Sequence, residues 1–360
     1  MGGYCYVLHT MRNLVIHTAF PGDLILLTPL LDRLRRESDL EWLGLVVNPA
    51  CAPLFHGDPR LDELIVYDKR GRDKGWSAFR QLVRQLKALR VDRVIVPHRS
   101  LRSSALAWFS DAYERVGFAS AVGTLAYTEL VYDNRALHEV ERNLALAGPR
   151  DEQDPAQAMP TLHKDPAEEA RVRSSFEERG LLLPVAMAPA SLWATKCWPA
   201  SHFGRLADLI LEATPADIVL LGGPADQALC QEVAAEVHNC RKHRVHNLAG
   251  AFTLRESFQA LRLCRLALVN DSAPLHLAQA AGVPTFAIFG STVPEFGFGP
   301  RGQRDRIFQH RLECVPCGIH GHRRCPLGTL ACLQDLDPQE ILPAVLELFA
   351  TQRTMEGAQT

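Results

Sequence analysis

The sequence is short of several things, and each shortage removes a class of protein. Thirty-nine Lys and Arg stand against 41 Asp and Glu, a formal charge of −2 over 360 residues. The chain therefore lacks the global positive field that draws a protein to nucleic acid, and any anionic partner must be met by a local patch. Long apolar runs are missing: the stretch 14–34 is broken by His17, Gly22, Asp23 and Asp32, which argues against a membrane span. Residues 1–10 hold no cationic segment followed by an apolar core, so no export signal is expected and the chain reads as cytoplasmic. No short internal repeat is visible.

What is present is the composition of a globular protein, 47% hydrophobic and 22% charged, long enough for two domains with separate cores. Ten cysteines would fit a secreted protein, but without an export signal they read as thiols or metal ligands. Cys5, Cys51, Cys197, Cys230, Cys240 and Cys264 are scattered, whereas Cys314, Cys317, Cys325 and Cys332 are grouped.

Short apolar runs at 13–18, 43–47, 64–67 and 93–97 alternate with helix-period stretches at 24–35, 76–89 and 102–111. This alternation predicts a parallel sheet with helices on both faces. Residues 148–165, rich in Pro, Asp, Glu and Gln, read as a linker. The alternation then resumes, with strands expected at 185–189, 218–221, 266–270 and 285–289 and helices at 167–179, 203–211, 225–237, 254–263 and 274–281. Two consecutive doubly wound domains, 1–160 and 161–350, follow. Thr253-Leu-Arg-Glu256 and Asp337-Pro-Gln-Glu340 have the form of capping boxes. The second accounts for Asp335-Leu-Asp337, which otherwise resembles the Asp-x-Asp of metal-dependent sugar transferases.

Ligands of open α/β sheets sit beyond the carboxyl ends of the strands, which directs attention to the loops after strands. Phe20-Pro-Gly22-Asp23 follows the first strand; Asp23 is either a helix cap or a carboxylate delivered to the rim of the sheet. In Ser191-Leu-Trp-Ala-Thr-Lys196-Cys-Trp198-Pro, Lys196 either holds a phosphate, with Ser191 donating a hydroxyl, or is a solvated lysine beside a core Trp198. Asn270-Asp271-Ser272-Ala273-Pro-Leu-His276 places small residues and free amides at a helix start, which suits a diphosphate; a core histidine beside a structural cap fits equally. Gly290-Ser291-Thr292 is another phosphate-sized turn.

In combination and order these motifs resemble the ADP-heptose:lipopolysaccharide heptosyltransferases of glycosyltransferase family 9. Gly22-Asp23-Leu-Ile-Leu-Leu-Thr28-Pro29 resembles that family's N-terminal signature, and Lys196-Cys-Trp198-Pro199 its Lys-x-Trp-Pro. Asn270 to His276 and Gly290 to Thr292 resemble its later motifs. The resemblance runs from about Leu14 to Leu348, with Ala273 in place of the more usual Gly and Cys197 where a basic residue is common. The late cysteines make the chain look most like the heptosyltransferase II branch.

The resemblance implies a GT-B architecture, two Rossmann-like domains facing across a cleft. The N-terminal domain would bind the acceptor, a Kdo/heptose–lipid A inner core of lipopolysaccharide, and the C-terminal one the donor, ADP-heptose. It further implies inverting transfer at the cytoplasmic face of the inner membrane, by peripheral contact without insertion. Asp23 would serve as base and Lys196, with the helix start at Asp271 to His276, as stabiliser of the leaving diphosphate, so that no metal cofactor is needed. Asp226, after a strand, matches a position where the family places an acid on the nucleotide ribose; a helix cap is the competing reading. Acceptor anions would fall to Arg99, Arg102 and the run Lys69-Arg70-Gly-Arg72-Asp-Lys74, which otherwise is solvated surface. Different readings are a noncatalytic nucleotide-sugar-binding relative, a sugar epimerase, or a transferase of another sugar. The spacing Cys-x2-Cys-x7-Cys-x6-Cys, with His320 and His322 inside it, permits a structural zinc site; buried free thiols or a redox-sensitive loop account for the same residues.

Overall fold

The computed structural model describes residues 10–149 and 157–357, with side chains as far as Gln352; Cys5 and 150–156 of the expected linker lie outside the described residues. The chain divides into two compact units, Met1–His163 and Lys164–Thr360. The stretch between 157 and 163 is not a free tether. Leu162 is buried, and the Thr161 amide donates to the Thr28 hydroxyl at 2.9 Å.

The first unit holds β1 (Met11–Ile16), α1 (Pro21–Arg35), β2 (Leu40–Val47), β3 (Glu63–Val66), α2 (Trp76–Ala88), β4 (Arg93–Val96), α3 (Leu101–Trp108), β5 (Glu114–Phe118), β6 (Glu129–Val131) and α4 (Glu139–Ala145). Its strands are all parallel, in the order β3-β2-β1-β4-β5-β6. The second unit holds α5 (Pro166–Glu178), β7 (Val185–Ala188), α6 (Ala200–Ala213), β8 (Ile218–Leu220), α7 (Gln227–Ala235), β9 (Val245–Asn247), α8 (Leu254–Arg262), β10 (Leu266–Asn270), α9 (Ala273–Ala281), β11 (Thr285–Phe289), β12 (Arg306–Gln309), α10 (Ala331–Gln334) and α11 (Pro338–Gly357). Its parallel order is β12-β11-β10-β7-β8-β9, which is the first order read from the other edge. In both units the strand order reverses beside the first strand, between β1 and β4 and between β7 and β10.

The central strands are apolar without alternation because helices cover both faces of each sheet. Leu14, Val15 and Ile16 of β1 are fully buried in succession, as is every residue of Val-Ala-Met-Ala in β7. Each unit has its own core, one built around Leu14, Ile16, Val94 and Val96, the other around Met187, Trp198, Phe203 and Phe286.

Local chemistry sets the helix that carries the first motif. α1 contains Pro29, which has no N–H to give the carbonyl of Ile25 four residues back. The buried hydroxyl of Thr28 donates to that carbonyl instead, at 2.7 Å, and accepts the Thr161 amide. α9 is bounded by Pro274 in its first turn and by Gly282 at φ 70°, the left-handed conformation that ends helices. Both expected capping boxes form: Thr253 Oγ1 accepts from the Glu256 amide at 3.2 Å and Glu256 from the Thr253 amide at 2.8 Å. Asp337 and Glu340 exchange the corresponding bonds with the amides of Gln339 and Asp337, so Asp337 is a cap rather than half of a metal-binding Asp-x-Asp.

Candidate active site

The polar motifs of each unit converge on the place where its strand order reverses. In the first unit, β1 runs out into His17 and Thr18, β4 into His98, Arg99 and Ser100, and β3 into Tyr67 to Lys69. Lys69 Nζ donates to both the carbonyl and the hydroxyl of Thr18, each at 3.0 Å. His98 Nδ1 lies 3.3 Å from the same hydroxyl and 3.0 Å from Ser103 Oγ, and its ring stacks on that of His17 at 5.6 Å. Burial, then the nearby charges of Lys69 and Arg99, pushes His98 down to about 4. Burial likewise holds His17 well below the usual imidazole range. Both imidazoles are thus neutral near pH 7.

Asp23 stands at the third position of α1, not at the N-cap; Phe20 is the cap residue, and the Asp23 carboxylate reaches back to accept the Phe20 amide at 3.2 Å. The helix begins at Pro21, earlier than the apolar pattern indicated, because proline is preorganised for a first turn. Gly22, buried, lies between them.

Arg99 and Arg102 are engaged within the unit. Arg99 forms a two-pronged pair with Asp133, both bonds at 2.9 Å, contacts Glu139 at 3.1 Å and lies over the Phe118 ring at 4.2 Å. Arg102 donates to the Tyr67 hydroxyl at 3.4 Å and to the Lys69 carbonyl at 3.2 Å. Of the run 69–74, Arg70, Arg72 and Lys74 face solvent as a charged surface run would, whereas Lys69 turns inward.

In the second unit, Lys196 and Asp271 meet at the reversal between β7 and β10. Lys196 Nζ lies 2.5 Å from Asp271 Oδ2, and Thr292 Oγ1 donates to the same oxygen at 2.6 Å. Both ionised side chains are largely buried, so each needs the other. Asn270 fixes the frame: its Oδ1 accepts the Trp198 amide at 3.1 Å and its Nδ2 donates to the Pro189 carbonyl at 2.7 Å. The loops after β7 and β10 are thereby stitched together. Trp198 is buried in the core, with its ring nitrogen on the Leu336 carbonyl.

Ser272 caps α9 through its backbone alone; its hydroxyl donates to the carbonyls of Ala190 and Asn270 at 3.4 Å. Ala273 opens the helix with an amide that has no intrahelical acceptor, while Pro274 has no N–H and the Leu275 amide donates to the Ser272 carbonyl at 3.0 Å. His276 lies one turn further, buried, with burial pushing it down to about 4, and its Nδ1 has no hydrogen-bond partner. Ser291 is tied to Thr195 by their hydroxyls at 2.9 Å. A side chain at Gly290 would strike Leu333. Ser191 Oγ accepts the Trp193 amide at 3.4 Å. Asp226 does not cap α7 with its side chain; its carboxylate folds back onto the Gly223 amide at 2.8 Å.

Sequence reasoning missed Thr195 and Gly321, and placed His322 only among the late cysteines. Thr195 Oγ1 accepts the His322 amide at 2.7 Å, and Gly321, at φ 82°, lies so close that an added Cβ would stand 3.2 Å from Lys196, Ser291 and Thr195. The cysteine-rich segment therefore folds over the Lys196 turn. Its thiols are free. Burial raises Cys332 to about 11, and backbone amides beginning with that of Leu330 hold Cys325 low. Among the described residues, no group of three or more His, Cys, Asp or Glu side chains is placed to hold a metal ion. The four-thiolate arrangement that the spacing permits is not assembled among the described residues.

Two doubly wound units in tandem, each with its polar residues at the topological switch point, are the architecture of the GT-B class. The model of glycosyltransferase family 9 (heptosyltransferase) matches residues 79–328, and the chain belongs to that family. It is 24% identical over 357 residues to lipopolysaccharide heptosyltransferase 2 of Salmonella typhimurium, covering 95% of this chain and 99% of that one. The fold is shared with E. coli ADP-heptose LPS heptosyltransferase II, at a TM-score of 0.78, 23% identity and coverage of 95% and 100%. It is shared also with a family 9 glycosyltransferase from Veillonella parvula, at a TM-score of 0.83, 23% identity and coverage of 95% and 98%.

Proposed function

We propose that this glycosyltransferase moves a manno-heptose from ADP-heptose to the inner core of lipopolysaccharide, with inversion at the anomeric carbon. The observation that carries the reading is the placing of Asp23 and of the Lys196–Asp271 pair at the switch points of the two sheets. The relatives named as heptosyltransferases support the choice of sugar.

In this reading an acceptor hydroxyl attacks the anomeric carbon as its bond to the ADP oxygen breaks. The proton passes to Asp23, and the charge appearing on ADP is met by Lys196 and the Ala273 amide at the start of α9. Asp271 holds the Lys196 ammonium at that helix start before donor binds. Ser191, Ser272, Ala273, His276, Gly290, Ser291 and Thr292 surround the diphosphate, and Asp226 meets the ribose. A neutral His276 adds no second cation there, and its unpartnered Nδ1 is a further polar group for the donor. The first unit takes the acceptor: Arg102 is placed to meet its anions, while Arg99 serves by holding the loop after β4.

The acceptor is lipid-linked, so the enzyme works as a peripheral protein at the cytoplasmic face of the inner membrane. No helix among the described residues is long and apolar enough to cross a membrane. For the thiol-rich segment the proposal is a structural role, and elemental analysis of protein purified without added metal tests whether zinc takes part. Stoichiometric zinc would assign it to Cys314, Cys317, Cys325 and Cys332.

Mass spectrometry of a defined inner-core acceptor, incubated with ADP-heptose or with other nucleotide sugars, tests the donor. A gain of one heptose, with ADP-heptose far ahead of the rest, is expected. Faster transfer from another donor would replace heptose in this reading, and hydrolysis or epimerisation without transfer would end it.

A further inference from the structure

We infer that the carboxyl-end rim of the first sheet is a docking surface for an anionic lipid bilayer. The inference rests on the lipid-linked acceptor proposed above. Four large apolar side chains project from the segments that follow β3, β4 and β5: Trp76 is 78% exposed, Leu101 61%, Val122 58% and Leu125 88%, the last the most exposed large apolar side chain among the described residues. None of them fills a groove. Trp76 packs edge-on against Phe79, at 6.0 Å between ring centroids, and the four stand as prongs on one rim, the geometry of side chains that enter the interfacial layer of a membrane rather than of a pocket for a peptide.

Their neighbours are bound to one another. Leu101, the first residue of α3, lies against Gly123, where an added Cβ would be 3.1 Å from its Cδ1; Val122 and Leu125 flank that glycine. The Val122 amide donates to the Arg99 carbonyl at 3.2 Å, and Ser104 Oγ to the Val122 carbonyl at 2.6 Å, so the prongs ride on the rigid start of α3. On its other side Arg102 ties this helix start to the carbonyl of Lys69, where the basic loop 69–74 begins. Trp76 follows that loop directly.

The charges on the loop are sorted. Asp68 turns inward to accept the amides of Gly71 at 2.8 Å and Arg72 at 3.0 Å, and Asp73 accepts the Asp68 amide at 2.8 Å. The acids thus close the loop on itself. Arg70, Arg72 and Lys74 remain exposed outside, with Arg72 touching Asp73 only at 3.4 Å. Cations alternating with apolar prongs complement a surface of lipid phosphates over acyl chains. A second copy of this chain would bring like charges together. The same rim carries Asp23, so docking there would present lipid-anchored acceptors to the base.

Sedimentation of the full chain with phosphatidylcholine vesicles, with and without phosphatidylglycerol, tests the inference. The protein is expected to partition onto the anionic vesicles and to be released by salt. The double variant Val122→Ser/Leu125→Ser should partition at least ~10-fold more weakly, melt like the parent, and transfer normally to a delipidated acceptor. Arg72→Ser/Lys74→Ser should lose the preference for anionic lipid. A parent that ignores both vesicles, or an apolar variant that binds them like the parent, overturns the proposal. So does a self-association, seen by analytical ultracentrifugation without lipid, that the variant abolishes. Vesicle binding needs neither donor nor acceptor, so a failure of heptose transfer would be told apart from a failure of docking.

Discussion

Single side chains in this protein act in opposed pairs, and the Lys196–Asp271 pair is the sharpest example. Lys196→Ala would remove the cation proposed to meet the leaving group, and turnover should fall at least ~100-fold. It would also leave the buried Asp271 carboxylate uncompensated beside the diphosphate, so ADP affinity should fall as well. Adding Asp271→Asn should restore ADP affinity, measured by calorimetry, without restoring turnover. Recovery of turnover in the double variant would deny Lys196 its role.

The buried histidines make a second prediction at this scale. His276 is held near 4 in the folded protein, chiefly by burial, against 6.5 for the free side chain. Between those values the unfolded chain binds the proton and the folded one does not, so stability is full above pH 6.5 and declines as the pH falls towards 4. From pH 7 to pH 5 this one group should cost about 2 kcal/mol. Urea unfolding at the two pH values should show a smaller loss in His276→Gln than in the parent. Equal losses would mean that the imidazole is protonated when folded or is not buried.

At the scale of elements, the middle of α1 depends on one buried hydroxyl. Thr28→Val, nearly isosteric, should leave the Ile25 carbonyl and the Thr161 amide without their shared partner and lower stability by about 2 kcal/mol. Chemical denaturation reads it directly, and an unchanged midpoint would show that the helix accommodates Pro29 without that hydroxyl.

The elements legible in the sequence were those with a strong apolar signal. β1, β4, β7, β10 and β11 stood out because they are buried on both faces, and the chemistry-bearing motifs lay in loops after them. β5, β6, β9 and β12 escaped. The last three are edge strands of three or four residues, with no fully buried residue to make an apolar run, and β5 buries only Val116, Gly117 and Phe118 behind the charged pair Glu114-Arg115. The Asp23 position was misjudged by the apolar pattern, which starts at Leu24, although Pro21 marked the earlier start. Long-range pairings were not legible at all: Arg99 finds Asp133 and Glu139 at separations of 34 and 40 residues, and Thr195 finds His322 at 127. Nothing in local composition distinguishes such an arginine from a solvated one.

For the whole molecule, the sheet order is duplicated in two separately cored units, and this makes the proposed reading divisible by experiment. In the proposed reading, donor binding belongs to the second unit and proton removal to the first. Asp23→Asn is nearly isosteric, and its amide oxygen can still accept the Phe20 amide, but it cannot take the proton of an attacking hydroxyl. The decisive measurement is donor affinity and heptose transfer on the same Asp23→Asn preparation. The account predicts normal folding, unchanged ADP-heptose affinity and transfer at least ~100-fold slower than the parent; transfer within a few-fold of the parent would contradict it.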